Sequence, residues 1–287
     1  MKKILLLVLI LLSIFLGYSL GFNKDGNGTV QNLTNPKNEI MKVALIADSH
    51  NENDLLAKAL AQAKEQNVDF VIGLGDYTNL GTDDEIYSAK KAFDDSGVKF
   101  YTLAGDRDGW DNREHGEYNL TNYNQYFGPG SQEFTQKEIR FVLIDNSNLY
   151  LGIPSVDWDL INQWIKGVYN PIPGSGASPI PMEESKLTFV FAHKTPFHPD
   201  SAHIMGEDSP MVAEEANQLI KLIEEKKVDG FFSGDLHFFA QFNSPGGSVK
   251  MATIGAVASQ RNFQGPRFAI LKVYSDYSWE VLDVPIN

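Results

Sequence analysis

From Ile40 onward, short apolar runs alternate with amphipathic stretches of helical period. The run Lys42 to Ala47 is apolar and partly β-branched, as a strand buried on both faces should be. Asn53 to Gln66 then sets Leu56, Ala59, Leu60 and Ala63 on one helical face. Val68 to Leu74 predicts a second strand. Thr82 and Glu85 have the spacing of a capping box and precede a stripe of Ile86, Ala89 and Phe93. Val98 to Ala104 predicts a third strand. Gly109 to Gly130 is polar and aromatic and predicts a surface loop with one short helix. Phe134 to Ile144 predicts a hairpin around Gln136-Lys137-Glu138, and Ser155 to Val168 a helix carrying Trp158, Ile161, Trp164 and Ile165. Pro171 to Pro181 is an irregular connection. Leu187 to Ala192 is a strong strand. Ser209 as cap and Pro210 at the first helical position open a helix whose buried face is Val212, Ala216, Leu219, Ile220 and Ile223. Val228 to Ser233 is a further strand. The tail predicts antiparallel strands over Phe238 to Asn243, Val249 to Val257, Phe268 to Tyr274 and Trp279 to Val284. Helix-linked strands followed by a late antiparallel set predict an α/β fold of two packed sheets flanked by helices.

The polar residues gain meaning from where the strands stop. The first strand ends in Asp48-Ser49-His50, the second in Gly75-Asp76-Tyr77-Thr78 and the third in Gly105-Asp106-Arg107-Asp108. Later strands end in His193 and in Gly234-Asp235-Leu236-His237. The loop from Lys194 to Ser209 adds His198, His203, Glu207 and Asp208. A lone Asp-x-His after a strand reads more readily as a turn with an Asp helix cap. Recurrence favours a metal site, because the first three Asp residues are spaced by roughly one βαβ unit, about 30 residues. Ligands of open α/β sheets bind beyond the carboxyl ends of strands.

The N-terminus follows a different pattern. Lys2 and Lys3 precede an almost unbroken apolar run from Ile4 to Phe22. That run is longer than an ordinary signal-peptide core, and no A-x-A pattern follows it. It predicts a signal anchor over 1–22, with a cleaved signal peptide as the alternative. The flanking lysines orient the rest of the chain outward, so the protein is expected to be exported. Residues 23–39 read as a flexible linker and 40–287 as the folded domain. A formal net charge of −13 argues against a nucleic-acid backbone as partner. The absence of cysteine excludes disulfides, thiolate metal sites and a cysteine nucleophile. No G-x-x-x-x-G-K-[ST] loop is present, nor a G-x-G-x-x-G after a strand, which removes a nucleotide-dependent enzyme. The tripeptides beginning at Asn27, Asn32 and Asn119 match glycosylation acceptors, a pattern frequent by chance.

The ordered series DSH, GDYT, GDRD, a strand-ending His193 and GDLH resembles the calcineurin-like metallophosphoesterases over roughly residues 41 to 285. That family's pattern is Asp-x-His, Gly-Asp, Gly-Asn-His-Asp/Glu, a lone His, then Gly-His-x-His. The resemblance implies a four-layer α/β/β/α sandwich of two mixed sheets with two divalent metal ions at one end. It implies that Asp48, His50 and His237 hold the first ion, that Asp76 bridges, and that His193 holds the second. Gly75, Gly105 and Gly234 would allow close turns beside that site.

Three positions depart from the pattern. Asp106 stands where the family has Asn, and Asp235 where it has the first His of the fifth block. Both can donate oxygen, and they make the second site richer in carboxylate. Among Mn, Fe, Zn and Mg, such a set favours Mn or Fe. Arg107 stands where the family has a His that contacts phosphate or protonates the leaving group. Arg cannot act as a general acid near neutral pH, but it clamps phosphate well. Asp108 is then expected to orient Arg107 by an ion pair. His198 or His203 is the expected substitute acid, with water and His115 as further proton sources. Tyr77 is expected at the rim of the site, while Trp110, Tyr118 and Phe197 are candidates to shape a cleft. The resulting expectation is a metal-dependent hydrolase of phosphoesters, mono- or diester, on the outer side of a membrane. Its partners would be a phosphorylated substrate and the membrane itself. The alternative is a degenerate member that binds metal or phosphate at a surface without turnover.

Overall fold

The computed structural model describes residues 37–109, 118–169 and 180–287. The apolar run Ile4 to Phe22, the tripeptides at Asn27 and Asn32, Trp110 and His115 lie outside the described residues. Among the described residues, no helix is long and apolar enough to cross a membrane.

Alternation along the strands sets the layers. In β1 (Glu39–Ile46), Val43 and Leu45 face one apolar core while Ala44 and Ile46 face another. In β2 (Phe70–Leu74), Phe70 and Ile72 face the first and Val71 the second. The other sheet repeats this: β5 (Ile139–Ile144) turns Phe141 and Leu143 to the shared core, and Val142 and Ile144 outward. Period-two burial on both faces requires a layer on each side. The shared core therefore lies between two sheets, and helices cover the two outer faces. Phe134, Phe141, Phe191 and Phe232 stack across that shared core at centroid spacings of 4.9, 6.1 and 5.3 Å. Each fully buried Phe contributes roughly 1.5–3 kcal/mol.

One sheet has the order β13-β12-β1-β2-β3, with β3 (Phe100–Leu103), β12 (Arg267–Tyr274) and β13 (Trp279–Pro285). The other has the order β10-β11-β9-β8-β5-β4, with β4 (Gln132–Gln136), β8 (Leu187–Ala192), β9 (Gly230–Ser233), β10 (Ala240–Asn243) and β11 (Lys250–Thr253). A two-residue pair, β6 (Val168–Tyr169) and β7 (Ile180–Pro181), stands apart. Helices α1 (Asn53–Glu65), α2 (Asp83–Ser96) and α3 (Thr121–Phe127) lie on the first sheet; α4 (Ser155–Lys166) and α5 (Pro210–Glu225) lie on the second. Four layers result.

The parallel registers matter most for the site. Val43 lies opposite Phe70, Val71 opposite Phe100, Phe141 opposite Phe189, and Phe189 opposite Gly230. The carboxyl ends of β1, β2 and β3 therefore share one edge of their sheet, and those of β5, β8 and β9 share one edge of theirs. Two contacts tie β1's end to the segment after β11: Val257 N donates to Ala47 O and Ala258 N to Asp48 O, both at 2.9 Å.

Some local expectations change. The tail is not wholly antiparallel, because β11 runs parallel to β9 and only its other neighbour β10 is antiparallel. Thr82 caps α2 by accepting from Glu85 N, but the Glu85 carboxylate accepts from Leu80 N and Asn51 Nδ2. The cap is thus half a box, and Glu85 joins the loops after β1 and β2 instead.

Candidate metal centre

Strands β1, β2 and β9 turn sharply as they leave this edge. Asp48, His50, Asp76, Asp235 and His237 all have positive φ, between 43° and 66°. Left-handed backbone costs a residue with a Cβ on the order of 1 kcal/mol, so these turns need support. Hydrogen bonds between the loops supply it. Asp48 N donates to Gly75 O and His50 N to Asp76 O, both at 3.0 Å, and Asp235 N donates to the Asp48 carboxylate at 3.1 Å. Gly105 allows the third loop to close in: a Cβ there would lie 2.1 Å from Asp76 Oδ1. Arg107 N then donates to that same oxygen at 2.8 Å.

Three groups of donor atoms converge: Asp48, His50 and His237; Asp48, Asp76 and His193; and Asp106, His193 and Asp235. All seven residues singled out as ligands are brought together. The Nε2 atoms of His50 and His237 lie 3.0 Å apart. Burial first, then the neighbouring His237, pushes the His50 pKa down to about 4, so the ring is neutral and offers a lone pair. His193 is fully buried, and its Nδ1 donates to Leu74 O at 2.8 Å. Its Nε2 has no hydrogen-bond partner among the described residues. That atom lies 3.5 Å from Asp76 Oδ1, 3.5 Å from Asp106 Oδ1 and 3.7 Å from Asp235 Oδ1.

The electrostatics point the same way. Burial, and then the adjacent Asp106, pushes the Asp76 pKa well up. Burial opposes a charge on His193, yet Asp76, Asp106, Asp48 and Asp235 outweigh it and raise its pKa well above the ordinary value. Buried carboxylates this close demand positive charge. The donor set fits divalent ions: a buried imidazole nitrogen whose ring is held by a backbone carbonyl on its far side, two facing imidazoles, and four carboxylates.

The residues proposed for catalysis separate. Arg107 lines a cleft of about 410 Å³ over the cluster, with its Nε 3.8 Å from Asp106 Oδ2. Asp108 does not orient it. The Asp108 carboxylate is buried and accepts from Thr78 N, Thr78 Oγ1 and Gly105 N at 3.1, 2.9 and 2.9 Å. It locks the loop after β2 to the loop after β3, and burial pushes its pKa up to about 6. His198 does not line this cleft. It sits edge-on to Phe238 and Phe242 with Nδ1 accepting from Asp200 N, which removes it as a proton donor at the cluster. His203 does line the cleft, with Nε2 3.4 Å from Asp235 Oδ1 and Nδ1 2.5 Å from Glu207 Oε1. Its hydrogen bond to Asp235 outweighs partial burial and raises its pKa to about 9. Tyr77 is not at the rim. It is fully buried, donates to Leu103 O at 3.0 Å and packs on Phe93, Tyr123 and Phe127. Phe197 packs against Phe242 rather than shaping the cleft, whereas Tyr118 donates to Gly105 O at 3.3 Å beside it.

Three further residues belong to this end. Asn146 Oδ1 accepts from His193 N and Lys194 N at 3.0 and 3.1 Å, fixing the bend after β8. Its signal was present, because β5 also ends in a polar triplet, Asp145-Asn146-Ser147. Lys194 is buried with Nζ 3.0 Å from both Asp235 oxygens. Its signal was a charged residue directly after a strand end and a candidate ligand. Arg261, exposed and at φ 54°, faces the cleft beside Arg107, and no local sequence pattern marks it.

The model of the calcineurin-like phosphoesterase family matches residues 41–239. No match is found among curated proteins. Among solved structures, the chain is similar to a dimetal phosphatase from Danio rerio, with TM-score 0.56 and 16% identity, covering 87% of this chain and 100% of that one. It is similar to a purple acid phosphatase from yellow lupin seeds, with TM-score 0.56 and 14% identity, covering 86% of this chain and 54% of that one. It is also similar to the anchor in the inner membrane complex of Plasmodium, with TM-score 0.52 and 14% identity, covering 86% and 89%. At such identities the likeness shows the fold. The family match spans β1 through the loop after β9, the segment that supplies every one of the seven converging side chains, and the chain belongs to the calcineurin-like phosphoesterase family.

Proposed function

We propose that this phosphoester hydrolase works through two divalent ions held by the seven converging residues. Asp48, His50 and His237 would hold one, Asp106, His193 and Asp235 the other, with Asp76 shared. The observation that carries this reading is the buried, unpartnered Nε2 of His193 facing three carboxylates. When bound, such ions lower the pKa of water and neutralise phosphoryl charge. The chain's own groups do the rest. Arg107 and Arg261, at one side of the cleft, bind non-bridging phosphoryl oxygens by charge-assisted hydrogen bonds. His203, which lines the cleft, is the group placed to offer a proton to the leaving oxygen. Asp108 keeps the loops of Asp76 and Asp106 in register. The carboxylate-rich set favours Mn or Fe.

The substrate is a phosphomonoester or phosphodiester. The apolar run Ile4 to Phe22 supports export, with the domain from residue 40 on the outer face of a membrane. A second reading, binding without turnover, draws support from the Lys194 ammonium inside the cluster. Hydrolysis of generic mono- and diesters by the metal-loaded chain decides between them. Metal-dependent turnover supports the enzyme, whereas metal uptake with no turnover on either ester supports the binding reading.

A further inference from the structure

The two halves of the cluster are not electrically alike. In the first, the Asp48 oxygens accept from a neutral backbone amide, Asp235 N, and among the described residues the facing His50 and His237 rings carry no ammonium partner. In the second, both oxygens of Asp235 are already held at 3.0 Å by the ammonium of Lys194. Lys194 is 2% exposed, and Glu207 Oε1 lies 3.7 Å from the same Nζ. A buried ammonium persists only when paired, so Asp235 and Lys194 are bound to each other by the cost of separating them. Asn146 fixes the pair further, since its side chain spans Lys194, accepting from Lys194 N and donating to Lys194 O at 2.8 Å.

We propose that Lys194 is a resident cation of the second half-site that competes with a divalent ion for Asp235. This rests on the two-ion reading above. The chain then takes up one ion tightly at Asp48, His50 and His237, and a second one much more weakly. Lys194 acts through Asp235 and is a positioning residue: it tunes occupancy of the second half-site. The same pairing explains how the cluster tolerates an extra carboxylate. The negative charge of Asp235 is balanced within the chain, so the half-site keeps its net charge and gives up part of its affinity.

The test is calorimetric titration of the chelator-stripped full chain with Mn, compared with Lys194→Met and with Lys194→Met/Asp235→His. The double variant removes the ion pair as a unit and supplies a neutral nitrogen donor, so it reports if the single variant fails to melt cooperatively. The wild-type chain is expected to bind its second Mn at least about tenfold more weakly than its first, which is about 1.4 kcal/mol. Either variant should tighten the second step alone and close most of that gap. Two ions of equal affinity in the wild-type chain, or an unchanged gap in the variants, overturns the role of Lys194 while leaving the two-ion reading standing. No Mn uptake at all overturns both.

Discussion

Replacing Gly105 by Ala adds one methyl group at the point where the loops after β2 and β3 meet. The new Cβ would lie 2.1 Å from Asp76 Oδ1, 2.3 Å from Asp76 N and 2.8 Å from Asp76 Cγ. Ordinary contact begins near 3.4 Å, so the backbone of the two loops must separate by about 1.1 Å. Asp76 N cannot yield by rotating a side chain, because it belongs to a turn held at φ 53°. The movement therefore pulls Asp76 Oδ1 away from Arg107 N, now at 2.8 Å. Overpacking of this kind costs about 1–3 kcal/mol in stability. A displacement of about 1 Å among reacting groups costs on the order of 10²-fold in rate. Thermal melting and phosphoester hydrolysis measured on the same samples read both effects. Gly247→Ala is the companion variant. Gly247 has φ 75° but nothing within 4 Å, so it should lose roughly 1 kcal/mol from backbone strain alone and keep full turnover. A Gly105→Ala chain with normal turnover and normal metal affinity would refute the account of how Asp76 is held.

Other perturbations probe separate parts of the site. Asp108→Asn sets an amide nitrogen against some of the donors of Thr78 and Gly105; stability should drop by about 1–3 kcal/mol in denaturant titration, because buried donors lose their acceptor. Arg107→Met should lower turnover by on the order of 10²-fold without shifting the melting temperature by more than a degree or two, since its guanidinium lines an open cleft. Saturating divalent ion should stabilise the folded chain: at about 100 times Kd the gain is about 2.7 kcal/mol, a rise of roughly 5–10 °C in Tm that chelator reverses.

The layers and the edge that carries the site were legible in the chain because both rest on local signals. Short apolar runs mark β1, β2, β5 and β8, and each polar break after a strand marks a carboxyl end. The seven donor residues were named because aspartate and histidine recur at those breaks. What sequence could not show is where side chains turn after the break. Arg107 and Asp108 are neighbours, which suggested an ion pair, but the backbone sends Arg107 to the cleft and Asp108 inward to Thr78 and Gly105. Tyr77 directly follows a donor, yet the turn at Asp76 drives its ring into the core beneath the sheet. His198 and His203 share one loop and looked equivalent. Only the fold of that loop puts one on phenylalanines and the other on Asp235. The sequence pattern makes Lys194 only the first residue of a loop, because its partner Asp235 lies 41 positions away.

The deciding measurement is hydrolysis of p-nitrophenyl phosphate and bis-p-nitrophenyl phosphate by the full chain, stripped of metal and then titrated with Mn, beside Asp76→Asn. Asp76 is the carboxylate both halves share, with Oδ2 3.7 Å from His50 Nε2 and Oδ1 3.5 Å from His193 Nε2. Turnover that is absent in chelator, returns with Mn in the wild-type chain and stays at least about 10²-fold lower in Asp76→Asn is the predicted result. Turnover that survives chelation, or that Asp76→Asn leaves unchanged, would contradict it.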